Sequence, residues 1–160
     1  MKCYRLAKLE HKAAALSGKG SMLAGQRWNS KGVAVAYAGA TPSACLVEAM
    51  VHVHDDGFPV GWRMLEIEIP DDLIAALSPS EYPKGWDEFP YRKGVQRVGD
   101  DWIKSNRSLA LAVTSAVDKT SKNYLVNPGH PDFAKIGKPV DISESMDLQR
   151  IAERLRSSAT

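Results

Sequence analysis

The densest group of side chains able to ligate a metal is His52, His54, Asp55 and Asp56. Residues two apart on a helix point in different directions, so the two histidines cannot share one ion while that helix continues. No metal site is expected. A serine at a G-x-S-x-G elbow is absent, as are a P-loop and a G-x-G-x-x-G fingerprint. What remains is scattered: Arg27, Tyr37, Glu48, Ser115 and the run NYLVNPGHPDF at 123–133, which carries Asn123 and Asn127. Each has an explanation of its own. Arg27 reads as a solvated strand arginine, Tyr37 as a core aromatic, Glu48 as a helix carboxylate paired with His52 four residues on, and Ser115 as a turn residue.

These residues must be positioned by the elements around them. Leu9 to Leu16 reads as a short helix and SGKGS (17–21) as a loop. A hairpin follows, with one strand through Arg27 and Trp28, a turn at 29–32 and a return strand from Val33 to Ala38. In TPSACLVEAMVHVH, Thr41 suits a helix cap and Pro42 the first helical position. Leu46, Val47, Met50, Val51 and His54 form its expected buried stripe, with Cys45, Glu48 and His52 on the neighbouring one. WRMLEIEIP (62–70) alternates as a strand, Leu65, Ile67 and Ile69 inward and Glu66 and Glu68 outward, until Pro70 ends it. Residues 78–92 hold three prolines and four aromatics without a period and read as an ordered surface loop. A helix carrying Val95, Val98, Trp102 and Ile103 comes next. SLALAV and NYLV are strands, KPVDI is a short edge strand, and Leu148, Ile151, Ala152 and Leu155 mark a C-terminal helix. The class is α+β, with a mainly antiparallel split sheet and flanking helices in a single domain over 1–160.

Composition narrows the function classes. Of 160 residues, 44% are apolar and 25% charged, which is ordinary for a globular chain. Twenty-one basic and nineteen acidic residues are interspersed and leave a net charge of +2. That argues against a dedicated nucleic-acid or anionic-membrane surface. Cys3 and Cys45 sit in no metal or disulfide spacing, and no run approaches the roughly 20 apolar residues of a membrane span. A reducing, cytoplasmic location is expected.

Taken together, the scattered residues fall into ordered blocks: YRL near the start, GQRWNSKGVAVAYAG, LVEAMVH, LAVTSAV and NYLVNPGHPDF. This series resembles the RES domain, the toxin half of Xre–RES toxin–antitoxin pairs, named for an arginine, a glutamate and a serine that match Arg27, Glu48 and Ser115. Thr114 stands where the family often has proline. The resemblance implies a fold similar to the diphtheria-toxin-like ADP-ribosyltransferases, no cofactor requirement, and NAD as substrate, degraded or used as an ADP-ribose donor. It also implies an Xre-type helical antitoxin that binds DNA and blocks the active site. A homodimer within that complex is compatible with it.

The residues suit that chemistry. Cleaving the nicotinamide–ribose bond passes through an oxocarbenium-like state, whose charge Glu48 would stabilise. The fork of Arg27 would meet the pyrophosphate, the ring of Tyr37 would stack on nicotinamide, and the Ser115 hydroxyl would orient ribose or nicotinamide. Asn123 and Asn127 would bind alongside or shape the adjoining loop. Arg27 and Tyr37 share a face of the expected hairpin only with an odd loop or a bulge. Rival readings are an ADP-ribosyltransferase acting on a cellular protein, an RNA-cleaving toxin, which would need a basic groove, and a non-enzymatic interaction domain.

Overall fold

Short β-branched and apolar runs separated by proline and glycine build seven strands. They are β1 (Lys2–Lys8), β2 (Ala36–Gly39), β3 (Trp62–Glu68), β4 (Ile74–Ala76), β5 (Ala110–Thr114), β6 (Lys122–Val126) and β7 (Val140–Asp141). The computed structural model describes residues 1–51 and 61–157. The strands form one sheet in the order β4-β5-β6-β2-β1-β3-β7, and every neighbouring pair is antiparallel except β4 with β5. The expected α+β class with a mainly antiparallel sheet is what the chain adopts.

The sheet is split in a specific sense. β1 ladders with β3 from Lys2↔Glu68 to Lys8↔Trp62, and β2 with β6 from Ala36↔Val126 to Gly39↔Asn123. Between β1 and β2 the register holds a single pair, Tyr4↔Gly39. The strands therefore part along this seam after one pairing, and backbone groups on either side are left for side chains to satisfy.

Both faces are covered. On one, Cys3, Ala36, Ala38, Ile67, Ile69, Ala110, Tyr124 and Val126 form a core closed by Leu16 and Ile136. On the other, helix α3 (Lys93–Ser105) lays Val95 and Trp102 over Leu111, Val113 and Leu125, with Trp28 and Leu77 at the margin. Methionine 64, on the face of β3 expected to be polar, is buried with Cys45 and Leu148. Helices α2 (Pro42–Val51) and α4 (Leu148–Ser157) close that side, so β3 is a two-sided strand.

Three expectations change. Residues Leu9–Ala14 form a 3₁₀ helix, and part of the expected SGKGS loop begins a helix, α1 (Lys19–Ala24). No hairpin strand passes through Arg27 and Trp28. That segment is a tight turn with one bridge, Gln26↔Asn29, and the return strand is only β2. The reason is side-chain pairing of the backbone: the Asn29 amide donates to the Ser21, Ser30 and Val33 carbonyls, and the Ser21 hydroxyl serves both the N–H and the C=O of Val35. In α2, Val47, Met50 and Val51 are exposed and the inward face is the neighbouring stripe, with Cys45 buried and Glu48 half-buried. The Cys45 thiol donates to the Tyr4 carbonyl at 2.9 Å and Glu48 finds polar partners inside, which turns that stripe toward the sheet. His52, His54, Asp55 and Asp56 lie outside the described residues. Among those that are described, no three His, Cys, Asp or Glu side chains gather as metal ligands, and no helix is long and apolar enough to cross a membrane.

Candidate active site

Glu48 projects from the inward face of α2 toward the ends of β5 and β6. There one of its oxygens, Oε1, accepts hydrogen bonds from the Ser115 hydroxyl at 2.6 Å and the Asn123 amide at 2.7 Å. Both donors converge on that atom, which holds the carboxylate in one orientation, and among the described residues Oε2 accepts no hydrogen bond. Ser115 is 2% exposed, and its oxygen also accepts the N–H groups of Val117 and Asp118. That turn fixes the rotamer, and the hydroxyl proton has one direction left, toward Glu48. The expected pairing of Glu48 with His52 falls outside the described residues.

Arg27 sits on the 26–29 turn, which α3 holds from below. Gln96 donates to the Gln26 and Asn29 carbonyls, and the Asp100 carboxylate accepts the Ser30 N–H at 3.0 Å. Gly99, between them, lets the helix touch the turn: a Cβ there would stand 1.8 Å from the Trp28 carbonyl oxygen. From this base the Arg27 guanidinium reaches the surface loop. Its Nη1 donates to the carbonyls of Trp86 at 2.7 Å and Glu88 at 2.8 Å, and its carbon lies 4.9 Å from the centre of the Tyr91 ring. Two of five donors are thereby used, and the parallel Nε and Nη2 pair, the edge that meets a phosphate bidentately, remains.

The loop itself is pinned by aromatic and polar contacts. Tyr82, Trp86 and Trp28 pack edge to face or tilted at 4.8–6.3 Å, and the Lys119 ammonium lies 4.1 Å above Trp86. The Tyr82 oxygen accepts the Thr114 N–H at 2.7 Å. A proline at that position would have no N–H to give, so threonine at 114 adds a loop anchor next to Ser115.

Tyr37, on β2, has its hydroxyl committed: it donates to Asn29 at 2.8 Å and accepts the Trp28 N–H at 3.1 Å, and burial pushes its acidity well below that of a free phenol. The structure thus links Tyr37 to the Arg27 turn through Asn29 and leaves only its ring for a ligand. Asn123 joins Glu48. Asn127 does not; its amide donates to Asn106 and its oxygen accepts the Gly129 N–H, which ties the 127–130 turn to the end of α3.

One charged residue went unassigned in the sequence. Arg5, on β1, lies in the seam, where Nη1 donates to the Tyr37 carbonyl on β2. Its Nε is buried without a hydrogen-bond partner, and it makes no ion pair among the described residues. Burial lowers its pKa, against a small opposing influence from Cys45 and Tyr37. The residue as a whole is half-buried, so its guanidinium keeps some access while Nε lacks a partner and no counter-ion stands beside it among the described residues. The available signal was a lone arginine inside an otherwise strand-like opening, YRLA.

A RES domain matches residues 2–156. The chain belongs to the RES domain family. Among its relatives it is 36% identical over 125 residues to the Prs ADP-ribosylating toxin of Sphingobium sp., covering 76% of this chain and 78% of that one. It is 33% identical over 133 residues to Toxin Res of Yersinia enterocolitica, covering 83% and 88%. Its fold matches a chain from the M. tuberculosis MbcT-MbcA toxin-antitoxin complex with a TM-score of 0.66 at 19% identity, over 98% of this RES domain and 88% of that chain. In this member, the arginine, glutamate and serine of the family blocks sit on three separate elements: Arg27 on the 26–29 turn, Glu48 on α2 and Ser115 at the end of β5, the last two hydrogen-bonded to each other.

Proposed function

We propose that this RES domain is a toxin that consumes NAD by cleaving the nicotinamide–ribose bond, by hydrolysis or phosphorolysis, and so arrests growth. The observation that carries the reading is the Glu48 carboxylate, oriented by two donors on one oxygen, with no hydrogen bond to the other among the described residues. The Nε/Nη2 edge of Arg27, together with Arg5, would take the pyrophosphate, which sets the nicotinamide ribose beside Glu48. As the C–N bond lengthens, positive charge develops on the ribose, and the fixed carboxylate stabilises it without having to reorient. Nicotinamide leaves with the bonding electron pair, and water or phosphate closes on the ribose carbon. Ser115 and Asn123 act by holding Glu48. Asn127 acts further off, on the loop, and Tyr37 contributes its ring.

A second reading has one observation in its favour, the relative at 36% identity named an ADP-ribosylating toxin. In it a protein side chain replaces water or phosphate as acceptor, with the same bond broken and the same residues in place. The match to a toxin-antitoxin complex supports a partner that covers the cleft, which we take to be a helical, DNA-binding antitoxin of Xre type acting in the cytoplasm. Purified protein incubated with NAD and with RNA, both followed by mass spectrometry, tests the function. Free nicotinamide is expected with phosphate or water as acceptor, and ADP-ribose on added protein would favour the second reading. RNA fragments with intact NAD would overturn both.

A further inference from the structure

The surface loop ends in a residue that neither the family blocks nor the reading above employs. The Tyr91 ring lies beneath the Arg27 guanidinium at 4.9 Å and meets Phe89 edge to face, 5.4 Å between centres at 89°. Phe89 is 80% exposed, so it shields the outer side of Tyr91 while Arg27 occupies the inner side. The loop is anchored at Tyr82 on Thr114 and at Trp86 and Glu88 on Arg27, which fixes the backbone that delivers Tyr91. Among the described residues its hydroxyl has no hydrogen-bond partner, whereas Tyr37 and Tyr82 both have theirs satisfied by the protein. The half-buried phenol is raised in pKa, first by burial; Arg27 opposes this and Glu48 adds to it, which places it within electrostatic reach of both.

We propose that Tyr91 is a substrate-contacting residue of this site: its ring seats the Arg27 guanidinium and its hydroxyl donates a hydrogen bond to the dinucleotide between pyrophosphate and nicotinamide ribose. The proposal rests on the NAD reading. Three features favour it over a purely structural tyrosine. The ring alone accounts for the contact with Arg27, so a phenylalanine would serve if packing were the whole role. The hydroxyl has no partner among the described residues and is not sealed off as Arg5 Nε is, so a ligand seated on Arg27 can reach it. Finally, Tyr91 lies against Arg27, the group assigned to the pyrophosphate, at 4.9 Å, and its phenol responds to the charge of Glu48.

Tyr91→Phe separates the hydroxyl from the ring. A hydrogen bond made equally in the ground and transition states changes KM and leaves kcat in place. The variant should therefore raise KM for NAD about five- to tenfold with kcat within about twofold. Its melting temperature should match wild type. In a Glu48→Gln background, where NAD binds without turnover, quenching of Trp86 fluorescence should report the same loss in Kd. An unchanged KM and Kd in Tyr91→Phe, with wild type releasing nicotinamide normally, would overturn the role of Tyr91 alone. A wild-type protein that neither binds NAD nor releases nicotinamide would overturn the underlying reading and this proposal with it.

Discussion

Replacing Glu48 by glutamine removes a charge and almost nothing else. The glutamine carbonyl oxygen can still accept from Ser115 and Asn123, and the amide nitrogen takes the place of Oε2. Two hydrogen bonds to a charged acceptor become two to a neutral one, a loss of about 1–2 kcal/mol in all. For a chain of this length that lowers Tm by roughly 2–8 °C. The rate should fall much further. Transition-state electrostatics of this type are worth about 10²- to 10³-fold, or about 2.7–4 kcal/mol. Ser115→Ala supplies the contrast. It leaves the carboxylate charged with one orienting bond, but strips the acceptor from the N–H groups of Val117 and Asp118 inside a buried turn. That variant should melt lower than Glu48→Gln by about 1–2 kcal/mol and lose only about tenfold in rate. The order of the two variants in stability is then the reverse of their order in activity. Nicotinamide release by chromatography and melting by circular dichroism give both numbers from one preparation. If Glu48→Gln turns NAD over within a few-fold of wild type, Glu48 is not the stabilising group and the mechanism fails.

Arg27→Lys keeps a positive charge but loses both the phosphate fork and the Nη1 bridge to two carbonyls, so KM for NAD should rise at least tenfold. Backbone amides of residues 86–91 should exchange faster by deuterium mass spectrometry; unaltered exchange would deny the tether. Arg5→Met removes a half-buried cation that has no ion-pair partner among the described residues, so its Tm should stay close to or exceed that of wild type while NAD binding weakens about tenfold or more. Undiminished binding would make Arg5 structural only. The Asp141 carboxyl, beside the Lys12 ammonium and bonded by Ser143, is held at about 2, below the ordinary 3.8. A carboxylate depressed on folding contributes stability that is fully present above pH 4 and lost as the pH falls toward 2. Asp141→Asn should therefore flatten the fall of Tm between pH 5 and 2.5, and an identical slope in both proteins would contradict the assignment.

Strands with uninterrupted alternation or apolar runs, β3, β5 and β6, could be read from the sequence, as could α3 and the edge strand β7. Their pattern marks them as strands, although on β3 Met64 is buried on the face that the alternation leaves to polar residues. The region from 17 to 35 could not, because its backbone is satisfied by Ser21 and Asn29 side chains and by Gln96 and Asp100 from a helix some seventy residues away. No local period encodes such pairing. The α2 stripe misled for a related reason: apolarity selects Val47, Met50 and Val51 as the core face, yet polar partners on β5 and β6 draw Glu48 inward instead. Glu48 and Ser115 were identifiable through the family blocks. Arg5 lies in the YRL block, but its place in the gap between strands, like that of Tyr91 on a loop anchored by tertiary contacts, has no signature in the sequence.

The seam at Tyr4↔Gly39 bears on how the protein comes apart. Two ribbons, β1-β3-β7 and β4-β5-β6-β2, each carry a continuous ladder, and between them little backbone pairing must break. They are candidates for separate cooperative units, with the amides lining the seam exchanging before those inside either ribbon. What keeps the ribbons in step is α2, packed so closely that a Cβ on Gly39 would sit 2.9 Å from the Cys45 sulfur. A methyl group at position 39 would lift the helix, and Glu48 rides on that helix. The weakest line in the sheet is therefore also the one along which the position of Glu48 is set, so a partner that wedges the ribbons apart would displace Glu48 without touching its side chain.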